Sequence, residues 1–114
     1  MSDSAHRERL PNRRLHWLYR FESGGQMYTG GIGRFDDGRV AEIFINGVKV
    51  GSTAEANAQD AAIVASLALQ HGCPAEVLRH ALHRDRYSGG PLVTLLGLVA
   101  DEEKAEVDSP RGCE

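Results

Sequence analysis

The chain has 114 residues, 41% of them hydrophobic and 25% charged, which is the composition of one small globular domain with a single core. A net charge of −3 argues against a general nucleic-acid binder, because binding along a phosphate backbone requires an excess of lysine and arginine. Two cysteines are too few for a disulfide framework and no apolar run reaches the ~20 residues of a bilayer span, so we expect a cytoplasmic protein without a membrane segment.

The charges are distributed unevenly between the two ends. The N-terminal stretch is basic, and residues 101–114 are rich in aspartate and glutamate. Neither end carries enough apolar side chains to offset the entropy lost on ordering. We therefore interpret residues 1–12 as a flexible basic arm, residues 13–100 as one folded domain and residues 101–114 as an acidic, disordered tail.

Alternating apolar and polar residues predict strands in the first half of the chain. Three strands are expected to form an antiparallel meander, over Leu15 to Phe21, Gln26 to Phe35 and Arg39 to Asn46. The turns between them are Ser23-Gly24-Gly25 and Asp36-Asp37-Gly38. Residues 48–50 form either a short fourth strand or a loop.

Helical signals begin at Ser52. Ser52-Thr53-Ala54-Glu55 fits a capping box, in which Ser52 accepts from an amide one turn along and Glu55 reaches back to the Ser52 amide. From Ala56 to Leu69 the segment has almost no polar face, so we expect this core helix to be covered on most sides. Gly72 and Pro74 separate it from a second helix, and Pro91 opens a third apolar segment that is long enough for two turns.

These elements predict an α+β fold, with a small antiparallel sheet of three to four strands followed by a central apolar helix and two shorter helices. A sheet of this size has exposed edges and a second face. The chain has few residues left to cover them, and aromatic side chains such as Trp17 lie on these strands. We therefore expect a homodimer.

The best metal candidate is a group of histidines and a cysteine near the second helix. Imidazole and thiolate are zinc ligands, and the group comprises His71, Cys73, His80 and His83. Its spacing matches no standard zinc motif and no second cysteine pair exists. Surface positions for His80 and His83 and a helix-capping role for His71 are the favoured explanation, so we predict no cofactor and keep zinc as the alternative.

Cys73 is also a candidate reactive thiol. It precedes Pro74 at a helix N-terminus, where amide dipoles can stabilise a thiolate. A small residue that fills a tight turn between two helices is the structural explanation. No base is assigned to this thiol, so we identify no catalytic residue.

Aromatic and arginine side chains along the meander form a candidate ligand surface. Such side chains can stack on a base, and the set comprises Arg14, Trp17, Tyr19, Arg20, Tyr28 and Arg34. Core packing and cross-strand pairing are competing explanations for the aromatic members. The glycines of Gly30-Gly31-Ile32-Gly33 lie inside a strand pattern and precede no helix, so they indicate a bulge or a close approach rather than a phosphate loop.

From Leu15 to about Leu98 the order of elements resembles the TSCPD domain, which is found at the C-terminal end of some cobalamin-dependent ribonucleotide reductases and as free-standing small proteins. The resemblance lies in the strand AEIFING, the Gly51-Ser52 turn, the helix containing AAIVASLALQHG, the helix AEVLRHAL after Pro74, and a Ser-Gly-Gly-Pro segment before the last helix. Where the family's name-giving Thr-Ser-Cys-Pro-Asp would fall, the chain reads Ser88-Gly89-Gly90-Pro91-Leu92. The proline is kept, and no role of the missing cysteine or aspartate can be carried over.

The resemblance implies that the protein is associated with nucleotide reduction but does not carry out the reaction. In the family that chemistry belongs to a large barrel with radical-forming cysteines and a cofactor, for which 114 residues leave no room. We therefore expect a non-catalytic accessory or binding module that binds a protein partner or a nucleotide. The alternative is a small thiol- or metal-dependent protein that uses Cys73 with His71, His80 and His83.

Overall fold

A computed structural model describes residues 6–10, 16–83 and 89–108, which form one sheet and three helices. The strands are β1 (His16–Ser23), β2 (Gln26–Arg34) and β3 (Val40–Gly47), and the helices are α1 (Thr53–Gln70), α2 (Ala75–Leu82) and α3 (Pro91–Asp108). The sheet is antiparallel with the order β1-β2-β3. The predicted α+β fold is confirmed, and residues 48–50 form a turn instead of a fourth strand.

Local turn chemistry sets the register of the sheet. Ser23 pairs with Gln26 across a two-residue loop whose glycines, Gly24 and Gly25, have φ of 59° and 81°. Positive φ at both loop residues is typical of a type I′ hairpin, whose twist matches that of the strands. The register of β2 against β3 shifts at Gly33 and Arg34, which confirms the irregularity that the glycine-rich strand predicted.

The core lies between one face of the sheet and the helices. Ile32, Ile43 and Ile45 point into it from the strands, and Leu95, Leu96 and Val99 cover them from α3. Gly30 permits this close packing, since a Cβ atom there would lie 2.8 Å from Leu95 Cδ2 and 3.0 Å from Cδ1. The close approach that glycine allows is therefore between β2 and α3.

Helix α1 packs along the outer edge of β3. Ser66 Oγ accepts from the Ile43 amide at 2.8 Å and donates to the Ile43 carbonyl at 3.1 Å. Gln70 Nε2 donates to the Ala41 carbonyl at 3.0 Å. The few polar residues of this apolar helix thus bind the backbone of an edge strand, which would otherwise be open to another chain.

The start of α1 differs in one bond from the predicted capping box. Ser52 accepts from the Glu55 amide at 3.1 Å, as expected. The Glu55 carboxylate, however, accepts from Gly51 N at 2.9 Å and Gly47 N at 3.1 Å instead of from the Ser52 amide. The reason is that this carboxylate lies between the end of β3 and the start of α1, so it joins the two elements.

The expectation that α1 is covered on most sides is wrong for the single chain. Its inward face is lined by Ala58, Ala62, Ala65 and Leu69, which are buried. On the opposite face Ile63, Val64 and Leu67 are 59%, 66% and 39% exposed. A three-stranded sheet that meets the helix at one edge covers only one side of it.

Both expected terminal segments contact the domain where they are described. Helix α3 continues to Asp108, past the two turns that we predicted and into the segment expected to be disordered. It extends because Glu102 and Glu103 bind side chains of the sheet. In the N-terminal segment, Glu8 N donates to the Gln70 carbonyl at 2.7 Å, and the Glu8 carboxylate lies 3.0 Å from Arg39 Nη2.

Candidate functional site

The predicted ligand-binding side chains are divided between the core and two surfaces. Tyr28 is buried and stacks on Phe21, with ring centroids 5.7 Å apart. Arg20 pairs in register with Thr29, which places it on the sheet face opposite the core. Arg14 lies outside the described residues. Of the members that the structure describes, Trp17, Tyr19 and Arg34 lie together.

These three side chains contact the acidic half of α3. The Arg34 guanidinium lies 5.3 Å from the centroid of the Trp17 ring, and its Nη1 donates to Glu103 Oε2 at 2.6 Å. The Tyr19 hydroxyl donates to Glu102 Oε1 at 2.5 Å. The carboxylates of α3 thus already bind the Tyr19 hydroxyl and the Arg34 guanidinium, which a nucleotide would otherwise contact.

The Tyr19 phenol provides a direct test of this contact. Burial, followed by the hydrogen bond to Glu102 and its negative charge, raises the pKa of Tyr19 to about 12. Because the folded-state pKa exceeds the ordinary value of 10, the stabilisation is complete below pH 10 and is lost as the pH rises towards 12. We expect spectroscopic titration to show a late phenolate transition that Tyr19→Phe removes. Glu102→Gln should shift it to lower pH, and an unchanged transition would contradict the contact.

The structure does not assemble the predicted zinc ligands. His71 Nδ1 lies 2.8 Å from the Leu67 carbonyl of its own helix, which is a capping contact. Among the described residues, no three His, Cys, Asp or Glu side chains are grouped so that they could hold a metal ion. Within the described residues, the four candidate ligands therefore do not form a metal site.

Cys73 is a free, partly exposed thiol at the turn between α1 and α2. It lines a cavity of about 400 Å³ together with Arg39, Pro74 and Glu76. Its Sγ lies 3.7 Å from the Pro74 carbonyl, and Glu76 pairs with Arg79 at 2.8 Å. Three carboxylates line the same cavity, and each is already paired with an arginine: Asp37 with Arg39, Glu76 with Arg79 and Glu103 with Arg34.

A second cavity, of about 350 Å³, lies where the name-giving segment of the TSCPD domain falls. Gly90, Pro91 and Leu92 line it from the start of α3, and Tyr28 and Asn57 line it from β2 and α1. Most of the other described lining residues are apolar side chains of α1 and α2. Without the thiol and the carboxylate of that motif, its described wall is mainly apolar, and its polar groups are the Tyr28 phenol and the Asn57 amide.

The most prominent exposed feature is the sheet face turned away from the helices, here called the outer sheet face. Leu18 of β1 and Phe44 of β3 lie on either side of Gly31 and are 75% and 47% exposed. Met27 is exposed on the same face. The hydrogen bond from Val48 N to Met27 O, at 3.1 Å, continues the pairing by one residue and places exposed Val48 opposite Met27. Leu18 and Phe44 thus form one exposed apolar pair on this face, and Met27 and Val48 form a second pair near the first residues of β2.

Polar side chains border the apolar pair Leu18 and Phe44 on both sides. On one side His16 Nε2 lies 3.0 Å from Glu42 Oε2, and the His16 ring makes an edge contact with Phe44 at 5.5 Å. On the other side the register aligns Arg20, Thr29 and Asn46 in one row across the three strands, which separates the Leu18–Phe44 pair from Met27 and Val48. An apolar centre with a polar rim is typical of a surface that binds another protein.

The sequence contained a signal for this surface that our site prediction missed. Trp17, Tyr19 and Phe21 are the inward positions of β1, so Leu18 is an apolar residue at an outward position. In the same way Phe44 stands between the inward residues Ile43 and Ile45. An apolar residue at a position where the alternation predicts a solvent-facing side chain could have indicated a contact surface.

Comparisons with known proteins agree with the family resemblance. Residues 11–100 match the family model of the TSCPD domain. The chain is 42% identical over 73 residues to the vitamin B12-dependent ribonucleotide reductase of Agrobacterium fabrum, a region that covers 64% of this chain and 6% of that protein. The enzyme of the same name from Bradyrhizobium diazoefficiens is 34% identical over 87 residues, 75% of this chain and 7% of the relative.

A third relative is the vitamin B12-dependent ribonucleotide reductase of Rhodopirellula baltica, 33% identical over 81 residues, which covers 71% of this chain and 8% of that protein. The chain thus spans less than a tenth of the curated relatives it matches. No solved structure matches it significantly. In the described part of the chain, no helix combines the length and hydrophobicity that crossing a membrane requires.

Proposed function

This chain belongs to the TSCPD domain family, and we propose that it is a non-catalytic, cytoplasmic accessory module that binds the polypeptide of a vitamin B12-dependent ribonucleotide reductase through the outer sheet face. The observation that carries the proposal is the exposed apolar centre of that face, formed by Leu18 and Phe44 between two rows of polar side chains. Large exposed apolar groups inside a polar border mark protein-binding surfaces.

The choice of partner rests on the relatives. In each of them the segment that matches this chain is a small part of a vitamin B12-dependent ribonucleotide reductase. In those relatives the matching domain and the rest of the reductase are therefore one polypeptide. A related module with an open apolar face is suited to a surface of such a polypeptide.

The described side chains favour a protein over a nucleotide as the ligand. Arg34 is paired with Glu103 and Tyr28 is buried under Phe21, so neither is available to a base or a phosphate without rearrangement. The outer sheet face requires no rearrangement. Its apolar side chains are already exposed in the single chain.

Binding of the purified chain to the reductase of its own source organism, measured by isothermal titration calorimetry, tests the proposal. Leu18→Glu places a charge in the centre of the outer sheet face, and its high exposure in the monomer makes it compatible with folding. A charge in the desolvated centre of an interface typically costs at least ~2 kcal/mol, so we expect the dissociation constant to rise at least about thirtyfold. Val50→Glu, at an exposed apolar residue outside the sheet, is the matched control.

Two outcomes would contradict the proposal. The first is no binding of the wild-type chain to the reductase, and the second is equal weakening by Leu18→Glu and Val50→Glu. The thiol-dependent alternative is tested in the same assay, because Cys73→Ser should leave binding unchanged if the protein acts through the sheet.

A further inference from the structure

A second unpartnered surface lies on α1, on the side opposite the sheet. Ile63, Val64 and Leu67 form its exposed apolar part, and Asp60 and His71 lie at its two ends. A helix that is apolar on all sides is normally buried on all sides. The described chain covers only the side of α1 that carries Ala58, Ala62 and Ala65.

The spacing along this surface is that of a helix–helix seam. Positions 60, 64, 67 and 71 are separated by four, three and four residues, which keeps them on one stripe of a helix that supercoils with a partner. Ile63 flanks the stripe. The seam is therefore suited to packing against another helix of similar length.

We propose that this seam is the interface of a homodimer in which α1 packs antiparallel against α1 of a second copy. A two-fold axis that passes between residues 65 and 66 brings Val64 opposite Leu67 of the other copy, and it brings Asp60 opposite His71 at the same time. The contact is self-complementary, as a two-fold dimer requires. Each apolar residue meets an apolar residue, and the acidic residue meets the imidazole, which is cationic when protonated.

Charge favours the antiparallel arrangement over the parallel one. In a parallel pair Asp60 would face Asp60 of the second copy, and like charges at this position repel. The antiparallel arrangement also aligns the helix dipoles in opposite directions. In addition, Glu8 N bonds to the carbonyl of Gln70, so the N-terminal segment holds Arg7 and Arg9 near the C-terminal end of α1. In the antiparallel pair this end lies towards Asp60 of the other copy.

The predicted contact is modest in area. An 18-residue helix is roughly 27 Å long, and a pair of such helices falls at the lower end of the interface sizes that support stable dimers. We therefore expect a reversible dimer that sedimentation equilibrium detects at micromolar concentration. The outer sheet face stays open in this arrangement, so dimer formation and binding of the proposed reductase partner use different surfaces.

Charge exchange tests the arrangement directly. His71→Glu places a second carboxylate opposite Asp60, and Asp60→Arg removes the acidic partner of His71, so each should raise the dimer dissociation constant about fivefold. The double variant Asp60→Arg/His71→Glu restores opposite charges and should return the constant to within about twofold of wild type. Val64→Glu should abolish the dimer, whereas Leu18→Glu, on the sheet, should leave it intact.

The possible results separate this proposal from others. A dimer that survives Val64→Glu, or a double variant no better than the two single variants, overturns the antiparallel pairing, as does a wild-type monomer at high micromolar concentration. Circular dichroism of each variant establishes that it is folded. A wild-type chain that is monomeric but binds the reductase contradicts only this proposal, and a wild-type dimer that does not bind the reductase contradicts only the proposed function.

Discussion

Replacing Leu95 by alanine is expected to lower the free energy of unfolding by about 2–5 kcal/mol. Leu95 is fully buried at the centre of the contact between α3 and the sheet. Removing its side chain leaves a cavity that the rigid strands below can fill only in part. Because a domain of this size is stabilised by about 5–15 kcal/mol in total, chemical denaturation should detect the change easily.

Leu98→Ala is the matched control on the same helix. Leu98 is 37% exposed, so its truncation removes less buried area and should cost clearly less than Leu95→Ala. Equal losses for the two variants would show that α3 does not pack on the sheet through Leu95.

Gly30 provides a more specific test of the same contact. Its φ is not in the left-handed region, so the backbone accepts alanine there, but the new Cβ would lie 2.8 Å from Leu95 and 3.1 Å from Phe21. Overpacking of this kind costs about 1–3 kcal/mol. In the Leu95→Ala background the contacts with Leu95 disappear and only the 3.1 Å contact with Phe21 remains, so Gly30→Ala should cost clearly less than in wild type. Additive effects in the double-mutant cycle would contradict the packing.

The strands and helix starts could be predicted because their signals are local. The pair Gly24-Gly25 predicted a turn, and both residues have positive φ in the structure. The alternation of apolar and polar residues predicted both ends of β1 to within two residues. Ser52 marked the start of α1, and its capping bond forms as expected. Each of these features depends on residues that are close together in the sequence.

The features that the sequence did not predict depend on which elements become neighbours. The length of α3 depends on contacts between Glu102 and Tyr19, which are 83 residues apart. The exposed face of α1 depends on the helix meeting the sheet at an edge, which no periodicity within the helix reveals. The predicted ligand surface failed to assemble as one group for the same reason, since alternation along β1 and β2 sends Arg20 and Tyr28 to opposite faces.

The two exposed apolar surfaces follow from one architectural fact. A single layer of three strands has two faces and two edges, and three helices cover one face and the β3 edge. The apolar residues on the outer sheet face and on the outward side of α1 are therefore left uncovered in one chain. The two proposed partners, one on each surface, would cover both sets of residues.

Ser66→Ala is expected to destabilise the protein by about 1–3 kcal/mol, although it removes only one oxygen atom. The Ser66 hydroxyl binds both the amide and the carbonyl of Ile43, whose side chain is almost fully buried. Once the hydroxyl is gone, the apolar surface of α1 still prevents water from reaching those backbone groups. An unsatisfied buried donor and acceptor cost more than the bond itself contributes.

Gln59→Ala is the control because it removes a hydrogen bond between the same two elements in an exposed setting. Gln59 Nε2 donates to Asn46 Oδ1 at 2.9 Å, and both side chains are open to water, which can replace the bond. We therefore expect a change within about 0.5 kcal/mol for this variant. Amide hydrogen exchange should show the Ile43 amide strongly protected in wild type and much less protected in Ser66→Ala. If that amide exchanges equally in both proteins, α1 does not seal the β3 edge, and the edge itself would then be open to a partner strand.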